Sequence, residues 1–144
     1  MKTIQLGYTQ GEKENVVSWG RFLEEQDWDY YCLFTTSYKL SMTAARFKME
    51  KLYQFLSVDS SNPSMFWAAE TFSSKAGCHV HALIHTTTSA TIIQAQWKKI
   101  SPPLGYKEHN LMQILPYEKN RGGNYYAAKM ITKADADFDL LISL

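Results

Sequence analysis

The chain has 144 residues, of which 45% are hydrophobic and 14% aromatic, and its net charge at neutral pH is +1. This length and composition suit a folded domain and exclude an intrinsically disordered chain. No apolar run approaches the roughly 18 residues of a membrane-spanning helix, and the first ten residues lack the apolar segment of a secretion signal. We therefore expect a single domain over residues 1–144, a cytoplasmic setting and no membrane partner.

The cysteines bear on the redox compartment of the protein, and the distribution of charge bears on the kind of ligand that it binds. Cys32 and Cys78 form neither a disulfide framework nor a CxxC pair, which favours a reducing compartment and disfavours a zinc site built from cysteines. Residues 91–133 carry seven basic and two acidic side chains, whereas residues 1–30 carry three basic and six acidic ones. A local basic surface is what a phosphate-bearing ligand needs, although solvated lysines on helix faces produce the same pattern.

The first half of the chain alternates predicted helices and strands. Residues 14–26 have apolar side chains near helical spacing, and residues 30–37, YYCLFTTS, have the aromatic and β-branched residues typical of a strand. A long amphipathic helix follows, with Ser41 as its N-cap and a DSSNP turn at its end. Residues 64–72 and HVHALIHT, residues 79–86, are apolar runs joined by a short glycine-containing turn, which predicts an antiparallel hairpin.

The second half continues with the same kinds of element. Residues 91–100 predict a helix that the following two prolines end, and residues 109–117 predict another strand. Residues 124–133 predict a helix with Asn124 as a candidate N-cap, and FDLLISL, residues 138–144, can add an edge strand. This order predicts an α+β fold in which helices pack on an antiparallel sheet.

Three of the four histidines of the chain lie in CHVHALIH, residues 78–85. Because side chains alternate along a strand, His79 and His81 point to the same face, the shortest spacing at which a strand presents two imidazoles to one ion. His85 shares that face but lies four residues, about 13 Å, beyond His81. We expect His85 at the sheet edge or in a hydrogen bond rather than at the same ion.

Glu70 is the candidate oxygen ligand for such an ion. It lies near the end of the preceding strand, and the hairpin turn would bring it opposite the region of His79. Two imidazoles and one carboxylate leave positions open for water or substrate, as in a catalytic rather than a structural site. These donors suit Mn²⁺, Mg²⁺ or Co²⁺ and would also accept Zn²⁺. Histidines satisfied within a sheet and a solvated carboxylate remain the alternative interpretation of these residues.

A tyrosine and lysine pattern occurs further along, in GGNYYAAKMITK. On a helix, Tyr126, Lys129 and Lys133 fall on one face, but Tyr125 also neighbours Lys129, so the spacing leaves both tyrosines open. A phenol of pKa about 10 is a weak nucleophile until it loses its proton, and Lys129 can supply a nearby charge or a proton for a leaving group. A tyrosine that faces the core and a lysine that faces solvent, the ordinary arrangement on an amphipathic helix, remain the alternative interpretation of these residues.

Taken in order, Glu70, the HVH sequence at residues 79–81 and the YAAK sequence at residues 126–129 resemble the HUH endonuclease superfamily, specifically its rolling-circle replication initiator (Rep) branch. FTTS, residues 34–37, lies where that family has its first motif, a strand end that helps to bind DNA. The resemblance covers residues 30–133. It implies a Rep-like fold, with an antiparallel sheet similar to that of RNA-recognition motifs, the HUH hairpin at its centre and the tyrosine helix beside it.

The resemblance also implies an activity, which is site- and strand-specific nicking and rejoining of single-stranded DNA at a replication origin, where we expect a stem-loop. It assigns Glu70, His79 and His81 to a divalent metal, Mn²⁺ or Mg²⁺, that polarises the scissile phosphate. It assigns the attack to Tyr126, assisted by Lys129, with a 5′-phosphotyrosine link and a free 3′-OH as the products.

Departures from the family pattern define the type of initiator and the alternatives. Met130 occupies the position of a second catalytic tyrosine, so a single-tyrosine mode follows, and no third histidine ligand of the relaxase kind is evident. No GxxxxGK[ST] motif occurs, so a helicase would be a host partner or part of a longer initiator with this chain as its N-terminal nuclease.

Single-tyrosine HUH transposases and relaxases are related alternatives, and Leu83 disfavours a histidine-triad hydrolase. A non-catalytic module that stacks single-stranded nucleic acid on Tyr31, Phe34 and Trp67 is the alternative from another class.

Overall fold

A computed structural model of the protein describes residues 10–36, 39–72, 77–102, 112–119 and 136–142. Within these ranges the chain forms three helices and five strands, in the order α1 (Gln10–Glu24), β1 (Tyr30–Phe34), α2 (Met42–Asp59), β2 (Ser64–Thr71), β3 (Cys78–His85), α3 (Ala90–Ile100), β4 (Met112–Pro116) and β5 (Asp137–Ile142).

The five strands form one sheet in the order β4-β1-β3-β2-β5, and every neighbouring pair is antiparallel. The first four strands, with α2 and α3 as their connections, have the βαββαβ arrangement of the ferredoxin-like folds. β5 adds a fifth strand beside β2, at one edge of the sheet. The predicted α+β fold is confirmed, with the histidine-containing strand β3 at the centre of the sheet and the C-terminal apolar segment at its edge.

Serine caps begin the two helices that connect the strands. The Ser41 hydroxyl accepts a hydrogen bond from the amide of Ala44 at 3.1 Å, which confirms the predicted N-cap of α2. Ser89 caps α3 in the same way by accepting from the amide of Ile92, so this helix begins one residue before the predicted start. The first helix begins four residues earlier than predicted, because its first turn is polar and apolar periodicity does not detect it.

The two faces of the sheet pack against different helices. The cluster beneath α2 and α3 contains buried residues of both helices and of β1, β2 and β3, including Phe34, Trp67 and Val80. On the other face, Leu83 packs with Leu23 of α1. Because alternate residues of a strand share a face, the three histidines of β3 lie on the same side of the sheet as Leu83, which is the α1 side.

Both cysteines are buried in the cluster beneath α2 and α3, and neither forms a disulfide. Burial raises the pKa of the Cys32 thiol above its ordinary value, because a thiolate would lose its hydration there. Cys32 therefore acts as a small apolar side chain in the core.

Several sequence predictions lie partly or wholly outside the described residues. The predicted tyrosine helix, residues 124–133, is outside them, as are residues 109–111 of the strand predicted over 109–117. The described part of that strand is β4. In the ranges that the structure describes, no helix has the length and apolar character needed to cross a membrane.

Candidate metal centre

The register of the β2–β3 hairpin brings the predicted metal ligands together. Glu70 pairs directly with His79, and Ala68 pairs with His81. Opposite residues of an antiparallel pair share one face of the sheet, so the carboxylate lies beside both imidazoles. At the start of β3, Gly77 has a φ of +96°, a left-handed conformation that glycine adopts without strain. The predicted placement of Glu70 opposite the region of His79 is confirmed.

The three side chains converge on one point. Glu70 Oε1 lies 3.0 Å from His79 Nε2 and 4.0 Å from His81 Nε2. One donor atom from each residue lies within 4.8 Å of the other two, and within the described residues this is the one group of His, Cys, Asp and Glu with such spacing. Two ligands bonded to one ion at about 2.1 Å stand no more than about 4.2 Å apart, so both measured spacings fit a shared ion.

The triad is buried but open on one side. The side chains of Glu70 and His81 are 7% and 6% exposed, whereas the side chain of His79 is 16% exposed. Removing a carboxylate from water is costly unless a positive charge or hydrogen-bond donors compensate it. The Nε2–Oε1 contact with His79 supplies one such partner, and a divalent ion held by all three residues would supply the charge.

Two aromatic residues that the sequence analysis did not connect with the site hold the histidine rings. The Tyr31 hydroxyl is 3.0 Å from His81 Nδ1. Phe72 packs against His79 with ring centroids 4.7 Å apart. The Nδ1 atom of His79 is buried and has no hydrogen-bond partner among the described residues. The two imidazoles therefore differ, because a hydroxyl orients one and an aromatic ring covers the other.

His85 lies at the opposite end of β3 from His79 and belongs to a different contact. Its Nδ1 atom is 2.9 Å from Asp29 Oδ2, and this same oxygen accepts a hydrogen bond from the amide of Thr86. His85 is thus separate from the triad, as its spacing from His81 predicted. Asp29 as its partner was not predicted, because the two residues are far apart in the sequence.

Burial of the sheet aromatics bears on the stacking-module alternative. Phe34 and Trp67 have no exposed surface and lie beneath α2 and α3, where Trp97 packs on Phe34 with centroids 4.6 Å apart. Neither ring can stack on a nucleic-acid base from that position. Tyr31 is partly buried on the other face and contacts His81. The three predicted stacking residues therefore do not form a common platform.

The remaining predicted site residues lie outside the described part of the chain. These are Tyr126 and Lys129, with Tyr125 as the alternative nucleophile. Of the FTTS segment, Phe34 to Thr36 are described and residue 37 is not. The backbone carbonyl of Thr35 accepts a hydrogen bond from the Trp97 indole at 3.3 Å, which ties the end of β1 to α3.

Comparison of the chain with models of protein families, with curated proteins and with solved structures finds no significant match.

Proposed function

We propose that this protein is a metal-dependent endonuclease of the HUH type that nicks and rejoins single-stranded DNA to start rolling-circle replication. The observation that carries the proposal is the convergence of Glu70, His79 and His81 on one point near the turn of the β2–β3 hairpin. A buried carboxylate between two imidazoles has little value for packing, since three apolar side chains would fill the same space without a desolvation cost. It has a clear value as a ligand set.

The chemistry of the three donors fits a divalent cation. Two neutral imidazoles and one carboxylate bind the ions proposed here, Mn²⁺ or Mg²⁺, and leave coordination positions for substrate oxygens. When bound, such an ion would polarise the scissile phosphate and lower the barrier to attack at phosphorus. His79 is the most exposed of the three residues, so we expect the phosphodiester to approach the ion from its side.

The path of the chain supports the assignment of Tyr126 as nucleophile and Lys129 as its helper. Asp137, the first residue of β5, pairs with Ala69, the neighbour of Glu70, so the segment before β5 joins the sheet at the triad end. Tyr126 is eleven residues and Lys129 eight residues before Asp137. With residues 126–133 in the predicted helix at about 1.5 Å per residue and residues 134–137 extended at up to about 3.5 Å per residue, this connection is long enough to bring both side chains to the triad.

The proposed reaction is a transesterification. The Tyr126 hydroxyl gives its proton to solvent water and its oxygen attacks the phosphorus, and the bond from phosphorus to the 3′ oxygen breaks. The Lys129 ammonium supplies positive charge beside the phosphate and a proton for the departing 3′ oxygen. The products are a 5′-phosphotyrosine and a free 3′-OH, and attack by a 3′-OH on this link reverses the reaction and rejoins the strand.

The proposed partners are those that the resemblance to rolling-circle replication initiators implies. The substrate is single-stranded DNA at a replication origin, presented in a stem-loop, and a helicase would unwind the duplex ahead of the new strand. We propose that the protein acts in the cytoplasm or in the host compartment where the replicon is copied. A single-tyrosine transposase or relaxase would use the same bond chemistry on a different DNA site.

A covalent-adduct assay tests the proposal. The protein is incubated with candidate single-stranded origin oligonucleotides and Mn²⁺, and a denaturing gel separates free protein from a protein–DNA adduct. We expect an adduct with the wild type and with Tyr125→Phe, and none with Tyr126→Phe. The opposite pattern would move the nucleophile to Tyr125. An adduct that survives both substitutions would rule out either tyrosine as the sole nucleophile.

A further inference from the structure

We infer that Tyr31 is a positioning residue that holds the His81 ring with its Nε2 atom directed at the metal. The inference rests on the metal site of the proposed function but not on DNA cleavage. Tyr31 lies on β1, and its hydroxyl is 3.0 Å from His81 Nδ1, the ring nitrogen that does not face Glu70. The Tyr31 hydroxyl contacts Nδ1 of His81 rather than its Nε2 atom, so its effect on the ion passes through His81.

The chemistry of imidazole explains why this contact matters. A histidine that binds an ion through Nε2 must leave the lone pair of that atom free, so its proton resides on Nδ1. The Nδ1–H group then needs an acceptor, and the Tyr31 oxygen is in place to be that acceptor. A phenol can also donate, so the same contact holds the ring when Nδ1 is unprotonated. The hydroxyl therefore fixes the ring orientation before and after the ion binds.

The surroundings of Tyr31 hold the hydroxyl in place. β1 and β3 pair with Tyr31 opposite Leu83, so the tyrosine reaches His81 diagonally across the two strands. Its ring packs against the cluster that contains Leu83 and Leu23. His81 is 5% exposed, so water does not readily replace a lost hydroxyl at Nδ1. Removing the hydroxyl would leave a buried donor unsatisfied in the metal-bound form.

The two histidines of the triad should consequently respond differently. His79 has no comparable contact, because its Nδ1 atom lacks a hydrogen-bond partner among the described residues. The Tyr31 hydroxyl orients the ring of His81 through Nδ1, whereas the ring of His79 is held by Phe72 and Glu70. The orientation of the His81 ring should therefore depend on the Tyr31 hydroxyl, and the orientation of the His79 ring should not.

Titration calorimetry with Mn²⁺ alone tests the inference on Tyr31→Phe. We expect a loss of about 10- to 100-fold in Mn²⁺ affinity, the usual consequence of removing a hydrogen-bond partner of a metal-binding histidine. Tyr53→Phe is the matched control, because the Tyr53 hydroxyl donates to the carbonyl of Pro63 away from the triad. It should keep the wild-type affinity, and circular dichroism should show that both variants are folded.

A second measurement uses the wild-type protein and does not depend on the variant. Nitrogen NMR of the Zn²⁺-loaded protein reports which ring nitrogen of His81 carries the proton, and we expect Nδ1. Equal Mn²⁺ affinity in folded Tyr31→Phe would overturn the inference and leave the proposed function intact. A proton on Nε2 of His81 would overturn the inference together with the assignment of that atom as a ligand. Absence of any Mn²⁺ binding by the wild type would overturn the inference and the proposed metal site together.

Discussion

Substituting Glu70 by glutamine separates a ligand role from a packing role. The amide keeps the size of the side chain and a hydrogen-bonding group beside His79 Nε2, but it removes the negative charge. An ion present at 100 times its dissociation constant stabilises the folded state by about 2.7 kcal/mol. With an unfolding entropy of about 2.1 cal/mol/K per residue over 144 residues, this stabilisation raises the melting temperature by about 9 °C.

The substitution should remove most of this increase. If the loss of the carboxylate weakens binding 100-fold, the same Mn²⁺ concentration stabilises the variant by only about 0.4 kcal/mol, or about 1 °C. Without metal, the variant should melt close to the wild type, because a buried charge has been removed rather than a packed group. The assay is thermal unfolding followed by circular dichroism, with and without Mn²⁺, and EDTA should reverse the wild-type increase.

Glu25→Gln is the matched control, since it removes an exposed carboxylate just after α1 and should keep the full increase. A wild-type increase in Glu70→Gln would show that Glu70 does not bind the ion. A large loss of stability in the metal-free variant would instead indicate that the carboxylate has a structural role.

Two further predictions concern the contrast between His81 and His85 and the ion pair of Asp137. His81→Ala should abolish Mn²⁺ binding and adduct formation, whereas His85→Ala should keep both, because His85 contacts Asp29 at the other end of β3. Calorimetry measures the Mn²⁺ binding of each variant, and the denaturing gel measures its adduct. A loss of Mn²⁺ binding in folded His85→Ala would contradict the assignment of the ligands. Hydrogen bonds from Arg46 lower the pKa of Asp137, so this carboxylate stabilises the fold above about pH 4 and less as the pH falls. Because the pair of Asp137 with Arg46 is partly exposed, Asp137→Asn should lower the free energy of unfolding by up to about 1 kcal/mol at pH 7, and by less at pH 3. The midpoints of urea unfolding at the two pH values measure this difference. An equal loss of stability at pH 7 and pH 3 would contradict the role of the ion pair.

The hairpin is the part of the site that the sequence specifies most fully. Two apolar runs and a short glycine-containing turn fix which residues face each other, so the placement of Glu70 opposite His79 follows from local information. The alternation of His79 and His81 with apolar residues likewise determines their shared face. The same local patterns predict the cap at Ser41 and the antiparallel α+β fold.

Contacts between distant strands were not predictable in this way. Tyr31 reaches His81 because β1 pairs with β3 in a particular register, and no short turn connects these strands to fix that register. The contact between Asp29 and His85 depends on the same pairing. Burial of Phe34 and Trp67 depends on which face α2 and α3 cover, and an alternating strand pattern leaves both faces open when each carries apolar residues.

Identification of the residue that becomes linked to DNA tests the central claim most directly. After incubation of the wild-type protein with a cleavable single-stranded origin oligonucleotide and Mn²⁺, the adduct is digested with nuclease and protease, and tandem mass spectrometry locates the nucleotide-bearing residue. The account predicts a phosphonucleotide joined through its 5′ phosphate to Tyr126, and no such product from Glu70→Gln. A cleaved oligonucleotide without any protein-linked nucleotide, or a nucleotide on a residue other than tyrosine, would contradict it.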